Sequence, residues 1–248
     1  QRFLDTHKKS AAAFEDSKKV MHEGVPMSWM AKWPGAHPVF VKEAKGARFT
    51  DVDGHTYVDF CLGDTGSMTG HSPDATVAAV REQVGKGITA MLPTEDAAIV
   101  SGLLRDRFGL PLWQFTVSAT DANRHVIRYS RMITGRSKII VIDRCYHGSV
   151  DETFATLNEA GSTVKREGNI GAPVDLAETT RVVEFNDLDA MEKALAHGDV
   201  AAILMEPAMT NIGIVLPLDG YLVGVQELAK KYGAYLIIDE THTISVGP

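Results

Sequence analysis

The sequence predicts an α/β fold in which a mostly parallel β-sheet is covered by helices on both faces. Between residues 113 and 239, short apolar runs alternate with segments of helical period. The apolar runs show no alternation with polar residues, which indicates parallel strands buried on both faces and joined by helical crossovers. With 248 residues, 44% of them hydrophobic and 23% charged, the chain is long enough for one large globular domain or two unequal ones.

The N-terminal segment differs from this pattern. Residues 3–24 are expected to form an amphipathic helix. Residues 25–38 are expected to form a loop, because prolines and glycines interrupt any regular period there. Residues 38–60 alternate apolar and polar side chains around a Lys-Gly and an Asp-Gly turn, which predicts a three-stranded antiparallel meander.

Capping signals and apolar runs predict the elements that follow. Ser72 and Pro73 indicate an N-cap followed by proline at the first helical position, and Thr94 indicates the next N-cap. The predicted helices then cover residues 73–87, 95–109, 121–135, 187–198 and 219–233. The predicted strands cover residues 113–117, 138–142, 181–185, 200–206 and 234–239, the last being read as fully buried.

Composition excludes several classes of function. The formal charge of −7, from 25 basic and 32 acidic residues, is spread along the chain and gives no signal for nucleic acid. No apolar run reaches the roughly 18 residues that a membrane helix needs. The two cysteines fit a reducing compartment, and none of the nine histidines has the spacing of a helical metal-ligand pair. We therefore expect a cytoplasmic protein that binds neither nucleic acid nor membrane and holds no metal.

Four of the five predicted strands end in polar residues that can take part in chemistry. In an open parallel sheet, ligands bind beyond the carboxyl ends of the strands, so these residues predict one site at one edge. The four strand ends are Ser118 to Asp121, Asp143 to Gly148, Glu206 with Pro207, and Asp239 with Glu240. The fifth strand ends near Asn186 and Asp187, which are typical of a helix cap.

Three of these strand ends each predict one feature of a ligand. Ser118 and Thr120 begin a helix, where a phosphate can bind, although an ordinary N-cap explains them equally well. Tyr146 can lie against a flat ring, or can simply pack at the rim of the core. Asp239 follows a buried strand and needs a cation, either on a ligand or on a structural arginine. Taken together, a phosphate, a flat ring and a protonated nitrogen describe pyridoxal 5′-phosphate. Neither a G-x-G-x-x-G motif after a strand nor a phosphate-binding loop of nucleotide hydrolases is found.

The motifs that carry this site resemble those of the class III aminotransferases of pyridoxal-phosphate fold type I. The resemblance runs from about residue 36 onward, with the motifs in the order of the family, namely residues 51–60, 70–73, 118–122, 145–148, 206–217 and 236–243. Glu206-Pro207 followed by Asn211 is most similar to the glutamate-1-semialdehyde aminomutase branch. The resemblance implies a fold type I transferase that acts as a homodimer. It would move an amino group between an amine or amino acid and a keto acid or aldehyde.

The resemblance also implies roles for residues around the cofactor. Phosphate would be held by Ala119 and Thr120 with Ser118 beside them, Tyr146 would stack on the ring, and Asp239 would pair with the ring nitrogen. The remaining implied contacts are Thr241 on the opposite ring face, His242 near the ring hydroxyl, and Glu206 and Asn211 in the surrounding polar network.

Some residues depart from the family pattern. Ala119 stands where the family has glycine, and we expect phosphate binding to survive because a helix start with negative φ accepts alanine. Thr241 stands where valine is usual. Residues 25–33 contain no arginine, which argues against glutamate-1-semialdehyde as substrate. The apolar side chains of that loop, notably Trp29, Met30 and Trp33, instead predict an apolar substrate pocket; a subunit contact or packing anchors are the alternatives.

An aminotransferase also needs a lysine that forms a Schiff base with the cofactor. The resemblance places it beyond Pro248, so we expect this chain to be part of a longer protein. Residues 1–60 would belong to a small domain and residues 61–248 to a large cofactor-binding domain whose C-terminal part lies beyond this sequence. Three functions remain open, namely an aminotransferase, an aminomutase, and a non-catalytic protein that retains the fold.

Overall fold

The computed structural model of the protein describes residues 1–246, and the chain forms two compact units, Gln1–Pro93 and a second that begins at Thr94. The first unit contains helices α1 (Arg2–Thr6), α2 (Lys8–Ser17) and α3 (Asp74–Lys86) and strands β1 (Val41–Lys45), β2 (Arg48–Asp51) and β3 (Thr56–Val58). Short 3₁₀ turns cover His22–Gly24 and Ser28–Lys32. The predicted division after residue 60 remains a prediction.

The predicted antiparallel meander is confirmed, with β1 paired to β2 and β2 to β3. Its acidic residues fix local structure. Asp53 accepts hydrogen bonds from the backbone N–H groups of Lys9 and Ser10 and so anchors the start of α2. Asp51, which is fully buried, accepts from Tyr57 Oη and from the backbone of His55. These contacts give Asp51 and Asp53 of the 51–60 motif a structural role.

Two details of the first unit differ from expectation. The helix predicted over residues 3–24 is divided, because His7 leaves the helical region at φ −117° and ψ 45°, and its second part already ends at Ser17. The predicted cap of α3 was wrong by one position, since Pro73 is itself the N-cap residue with ψ 134°. Ser72 adopts a φ of +49°, and its hydroxyl donates to the carbonyl of Ala44, so it is not available to cap the helix.

The second unit is built around a four-stranded sheet in the order β7-β4-β8-β9, in which every pairing is parallel. Its helices are α4 (Glu95–Phe108), α5 (Ala119–Thr134), α6 (Leu176–Thr179), α7 (Leu188–Leu195) and α8 (Tyr221–Tyr232). Its strands are β4 (Lys138–Ile142), β5 (Ala155–Leu157), β6 (Thr163–Lys165), β7 (Thr180–Val183), β8 (Val200–Met205) and β9 (Tyr235–Ile238). All six residues of β8 are buried, so the sheet is covered on both faces, as the apolar runs predicted.

Three expectations about strands need correction. Residues 113–117 form no strand, because no described strand pairs with them, and Phe115 and Val117 are exposed. Strand β9 was expected to be fully buried, but it is an edge strand of the described sheet, and its Tyr235 and Ile238 are partly open to solvent. The β5-β6 hairpin was not predicted, since its three-residue strands are too short to show a period.

Among residues 1–246, no helix combines the length and the apolar character needed to span a bilayer.

Candidate functional site

The polar strand ends meet in one cavity of about 230 Å3 in the second unit. Parallel strands β4, β8 and β9 end at the same edge of the sheet, and the Asp239 backbone N–H continues the pairing to Met205 O. Eight residues predicted for the site line this cavity, namely Ser118, Ala119, Thr120, Tyr146, Glu206, Asp239, Thr241 and His242. His147 and Gly148 complete the lining, and no lysine of the described residues takes part in it.

Asp239 is the most strongly bonded side chain of the cavity. Its Oδ2 accepts from Asn123 Nδ2 and from His147 Nδ1, both at 2.9 Å. Its Oδ1 accepts from the backbone N–H of Thr241 at 3.0 Å and from the Thr241 hydroxyl at 2.5 Å. Burial alone would raise the pKa of this carboxyl, but the bonds from His147, Thr241 and Asn123 outweigh burial and hold the pKa well below its ordinary value. Asp239 is therefore an anion at neutral pH.

His147 is buried behind Asp239, with 1% of its surface exposed. Burial would lower the pKa of its imidazole, yet the hydrogen bond to Asp239 raises this pKa to about 9. Its Nε2 has no hydrogen-bond partner among the described residues. The ring thus donates from Nδ1 to Asp239 and carries positive charge toward the carboxylate.

The start of α5 forms the opposite wall. The Ser118 hydroxyl caps the helix by accepting from the Asp121 N–H at 3.2 Å. The backbone N–H groups of Ala119 and Thr120 have no partner among the described residues, which leaves two donors at the positive end of a sixteen-residue helix. Ala119 does not have a positive φ, so its Cβ causes no strain at the position where glycine is usual.

Glu206 begins a polar network along the cavity. Its Oε2 accepts from the backbone N–H of Thr210 at 3.2 Å and from the Thr210 hydroxyl, which also contacts His242 Nδ1 at 2.7 Å. Its Oε1 is buried and has no hydrogen-bond partner within residues 1–246. An unpaired oxygen on a side chain that is 4% exposed is available to a donor group that enters the cavity.

Of the remaining predicted residues, one lines the cavity with an exposed side chain, and the others are not part of the lining. Tyr146 lines the cavity but is 46% exposed, which leaves its ring accessible. Asn211 is not part of the cavity lining; it is exposed, and its Nδ2 donates to the carbonyl of Arg144 at 3.3 Å. Trp29, Met30 and Trp33 belong to the first unit, in and after its second 3₁₀ turn, and both tryptophans are exposed.

Sequence reasoning assigned no role to four residues of the site, namely His147, Gly148, Asn123 and Thr210. His147 directly follows Tyr146 in the strand-end motif, so its position was the one available signal. Asn123 and Thr210 reach the network from a helix interior and from a loop, and their bonds become visible only once the fold brings them to Asp239 and Glu206.

Comparison with known proteins places this chain among pyridoxal-phosphate enzymes. The family model described as "Aminotransferase class-III" matches residues 29–244. A glutamate-1-semialdehyde 2,1-aminomutase of Methanothrix thermoacetophila is 34% identical over 235 residues, covering 94% of this chain and 54% of that protein. A second such enzyme, from Methanocaldococcus jannaschii, is 34% identical over 238 residues, covering 95% of this chain and 55% of that protein. The chain thus spans about half the length of the curated relatives it matches.

The solved structures that resemble this chain include an aminomutase and a transaminase. A glutamate-1-semialdehyde-aminomutase from Pseudomonas aeruginosa PAO1 is 53% identical with a TM-score of 0.96, covering 100% of this chain and 55% of that one. A variant of that protein in complex with PMP has a TM-score of 0.97, with 53% identity and the same coverage. An omega-transaminase from Sphaerobacter thermophilus is 28% identical with a TM-score of 0.88, covering 95% of this chain and 55% of that one.

Proposed function

The chain belongs to the class-III aminotransferase family, and we propose that its cavity holds pyridoxal 5′-phosphate for an enzyme that transfers amino groups. Its fold is that of the fold type I pyridoxal-phosphate enzymes, as the sequence predicted. Pyridoxal phosphate is the cofactor of this family, and a variant of a structural relative that is 53% identical over the aligned residues was solved in complex with PMP. The proposed reaction moves an amino group between an amine or amino acid and a keto acid or aldehyde.

The residues of the cavity fit this cofactor in charge and in hydrogen bonding. Two unpaired N–H groups at the start of α5, on Ala119 and Thr120, suit a phosphate. Asp239 is an ionised carboxylate at the opposite strand end and suits a protonated ring nitrogen. The accessible face of Tyr146 suits stacking on a flat ring. Asp239 is the single observation that carries the proposal, because its four hydrogen bonds keep it ionised in the lining of the cavity, where its charge suits a protonated ring nitrogen.

Each proposed role follows from a contact of this chain. When bound, the cofactor supplies a ring that withdraws electrons from the substrate carbon. Asp239 would keep the proton on the ring nitrogen, because its negative charge favours the protonated form. His242, oriented by Thr210, would face the ring hydroxyl, and Thr241 would lie against the ring. The unpaired Glu206 Oε1 would accept from an amino group.

An aminomutase is the second candidate, because the relatives named above include glutamate-1-semialdehyde aminomutases. This reaction moves the amino group within one molecule. The absence of arginine from residues 25–33 supports a different substrate, and the apolar side chains of Trp29, Met30 and Trp33 support a more apolar one. We also propose that the full-length protein is a homodimer.

The test uses the full-length protein loaded with pyridoxal phosphate. We expect amino-group transfer from at least one amine or amino acid to a keto acid or aldehyde, with stoichiometric formation of both products. An amino aldehyde that isomerises without any added acceptor would identify an aminomutase instead. Binding of pyridoxal phosphate without either reaction, across aliphatic, aromatic and dicarboxylic substrates, would contradict both candidates and leave a non-catalytic binding protein.

A further inference from the structure

The Asp239 carboxylate has no acceptor position left for another donor. A carboxylate offers about four lone-pair positions, two on each oxygen. Oδ2 is bonded to Asn123 Nδ2 and His147 Nδ1, and Oδ1 to the backbone N–H and the hydroxyl of Thr241. A protonated ring nitrogen that approaches Asp239 must therefore displace one of these four donors.

Three of the four donors are held in place. The Thr241 N–H belongs to the backbone and cannot turn away. Asn123 is 5% exposed, and its Nδ2 also contacts the carbonyl of His147 at 3.2 Å. His147 is 1% exposed, and its Nδ1 is bonded to Asp239. Moving either side chain would leave a buried donor unpaired.

The Thr241 hydroxyl is the exception. Thr241 is an exposed residue that lines the cavity, so a rotation about its single χ1 bond can exchange Asp239 for water. We propose that this hydroxyl occupies the position on Asp239 that the ring nitrogen of the cofactor takes, and that it turns away when the cofactor binds. Thr241 then acts as a placeholder that satisfies Asp239 in the cofactor-free protein and weakens binding of the ring. The inference rests on the proposed cofactor.

The substitution Thr241→Val tests this competition, because valine has nearly the shape of threonine and keeps the backbone N–H. The probe is pyridoxamine 5′-phosphate, which forms no covalent bond with the protein, added to the cofactor-free full-length protein. We expect the Kd to fall by about fivefold, a modest factor because water partly replaces the hydroxyl on Asp239. If the valine variant does not fold, Thr241→Ala replaces it in the test. This variant also lacks the hydroxyl and should lower the Kd as well.

Two controls separate competition at Asp239 from a packing effect. Thr241→Ser keeps the hydroxyl but removes the methyl group, so its Kd for pyridoxamine phosphate should stay near the wild-type value. Thr243→Val removes another hydroxyl bonded to a carboxylate, that of Glu240, in the same segment but outside the cavity lining. This variant should bind pyridoxamine phosphate as the wild type does.

The outcomes distinguish this inference from the function on which it rests. If wild type binds pyridoxamine phosphate but Thr241→Val binds it equally or more weakly, the placeholder role is wrong and the cofactor site stands. A gain of the same size in Thr241→Ser, which keeps the hydroxyl, would also refute the placeholder role. If wild type binds neither pyridoxal phosphate nor pyridoxamine phosphate, both the proposed function and this inference fail.

Discussion

Asp239 carries its charge before any ligand is present. With 9% of its surface exposed, an isolated carboxylate at this position would be strongly disfavoured. Four donors remove that penalty, and one of them, the His147 imidazole, has a pKa raised to about 9 by the carboxylate. The anion is therefore preorganised, and a cationic ring nitrogen meets a charge that is already fixed in position.

Asp239→Asn tests how much this charge contributes to cofactor binding and to the stability of the fold. The amide has the same shape, but it is neutral and turns an N–H toward groups that are themselves donors. We expect the affinity of the full-length protein for pyridoxamine phosphate to fall by about 10- to 100-fold, since the charge-assisted bond is lost. The free energy of unfolding should fall by about 2 kcal/mol, because buried donors lose their acceptor. Absorbance titration and urea unfolding measure the two effects.

The matched control is Glu240→Gln, which neutralises the next carboxylate along the chain. Glu240 is exposed and lies outside the cavity lining, so both measurements should stay at the wild-type values. An Asp239→Asn variant with wild-type affinity would show that the ring nitrogen does not depend on this carboxylate.

At single positions, the sequence was informative where chemistry follows directly from a strand end. Asp239 could be predicted because a carboxylate after a buried strand needs a positive or donating partner. The identity of that partner could not, since His147 and Asn123 lie 92 and 116 residues away along the chain. In the structure Asp239 accepts from His147, Asn123 and Thr241, and no arginine is among these partners.

At the level of elements, the loop after β4 and the start of α5 touch closely at Gly148. This residue has a φ of +78°, and a Cβ added there would lie 2.0 Å from Thr120 Oγ1 and 3.0 Å from Thr120 Cα. The Ser149 N–H donates to the same Thr120 hydroxyl at 3.1 Å. The absence of a side chain at Gly148 therefore allows the loop after β4 and the start of α5 to meet at the cavity.

Gly148→Ala should distort this contact. A left-handed alanine alone costs roughly 1–2 kcal/mol. Crowding against Thr120 should add about 1–3 kcal/mol of destabilisation and weaken binding of pyridoxamine phosphate, because the start of α5 must shift. Gly135→Ala is the control, since Gly135 has a φ of +67° but no atom within 4 Å of an added Cβ. Urea unfolding of both variants separates strain from crowding. Equal destabilisation by the two substitutions would contradict a steric role for Gly148.

The sequence predicted strands well where both faces are covered. Strands β4 and β8 lie in the centre of the sheet, and their uninterrupted apolar runs report this directly. Residues 113–117 have a similar composition, yet they form no strand, because a strand also needs a neighbour that pairs with its backbone. Propensity at one segment contains no information about that neighbour.

At the scale of the whole molecule, the candidate site is contained in one compact unit. Every residue that lines the cavity lies between Ser118 and His242, although the chain spans about half the length of its relatives. The cavity and its preformed anion are therefore properties of this part of the sequence. Transfer of an amino group requires in addition a lysine, and no lysine of the described residues lines this cavity.

The buried pair of His147 and Asp239 also makes the stability of the molecule depend on pH. In the folded protein the pKa of His147 is raised to about 9, from an ordinary value of 6.5. A group with a raised folded pKa stabilises fully below its unfolded pKa, and this contribution is lost as pH rises through the folded value. The pKa of Asp239 is lowered instead, so its contribution is lost only in strong acid. The free energy of unfolding therefore depends on the protonation of His147 between pH 6.5 and pH 9.

We expect the wild-type protein to lose about 3 kcal/mol of unfolding free energy across this window relative to His147→Gln, which has no titrating ring at this position. Urea unfolding of the cofactor-free full-length protein at several pH values gives both curves, and their difference removes the contribution of all other groups. His197→Gln, at an exposed histidine, should run parallel to wild type. Parallel curves for His147→Gln and wild type would instead mean that His147 keeps the same protonation in the folded and unfolded states. His147 would then serve Asp239 as a neutral hydrogen-bond donor.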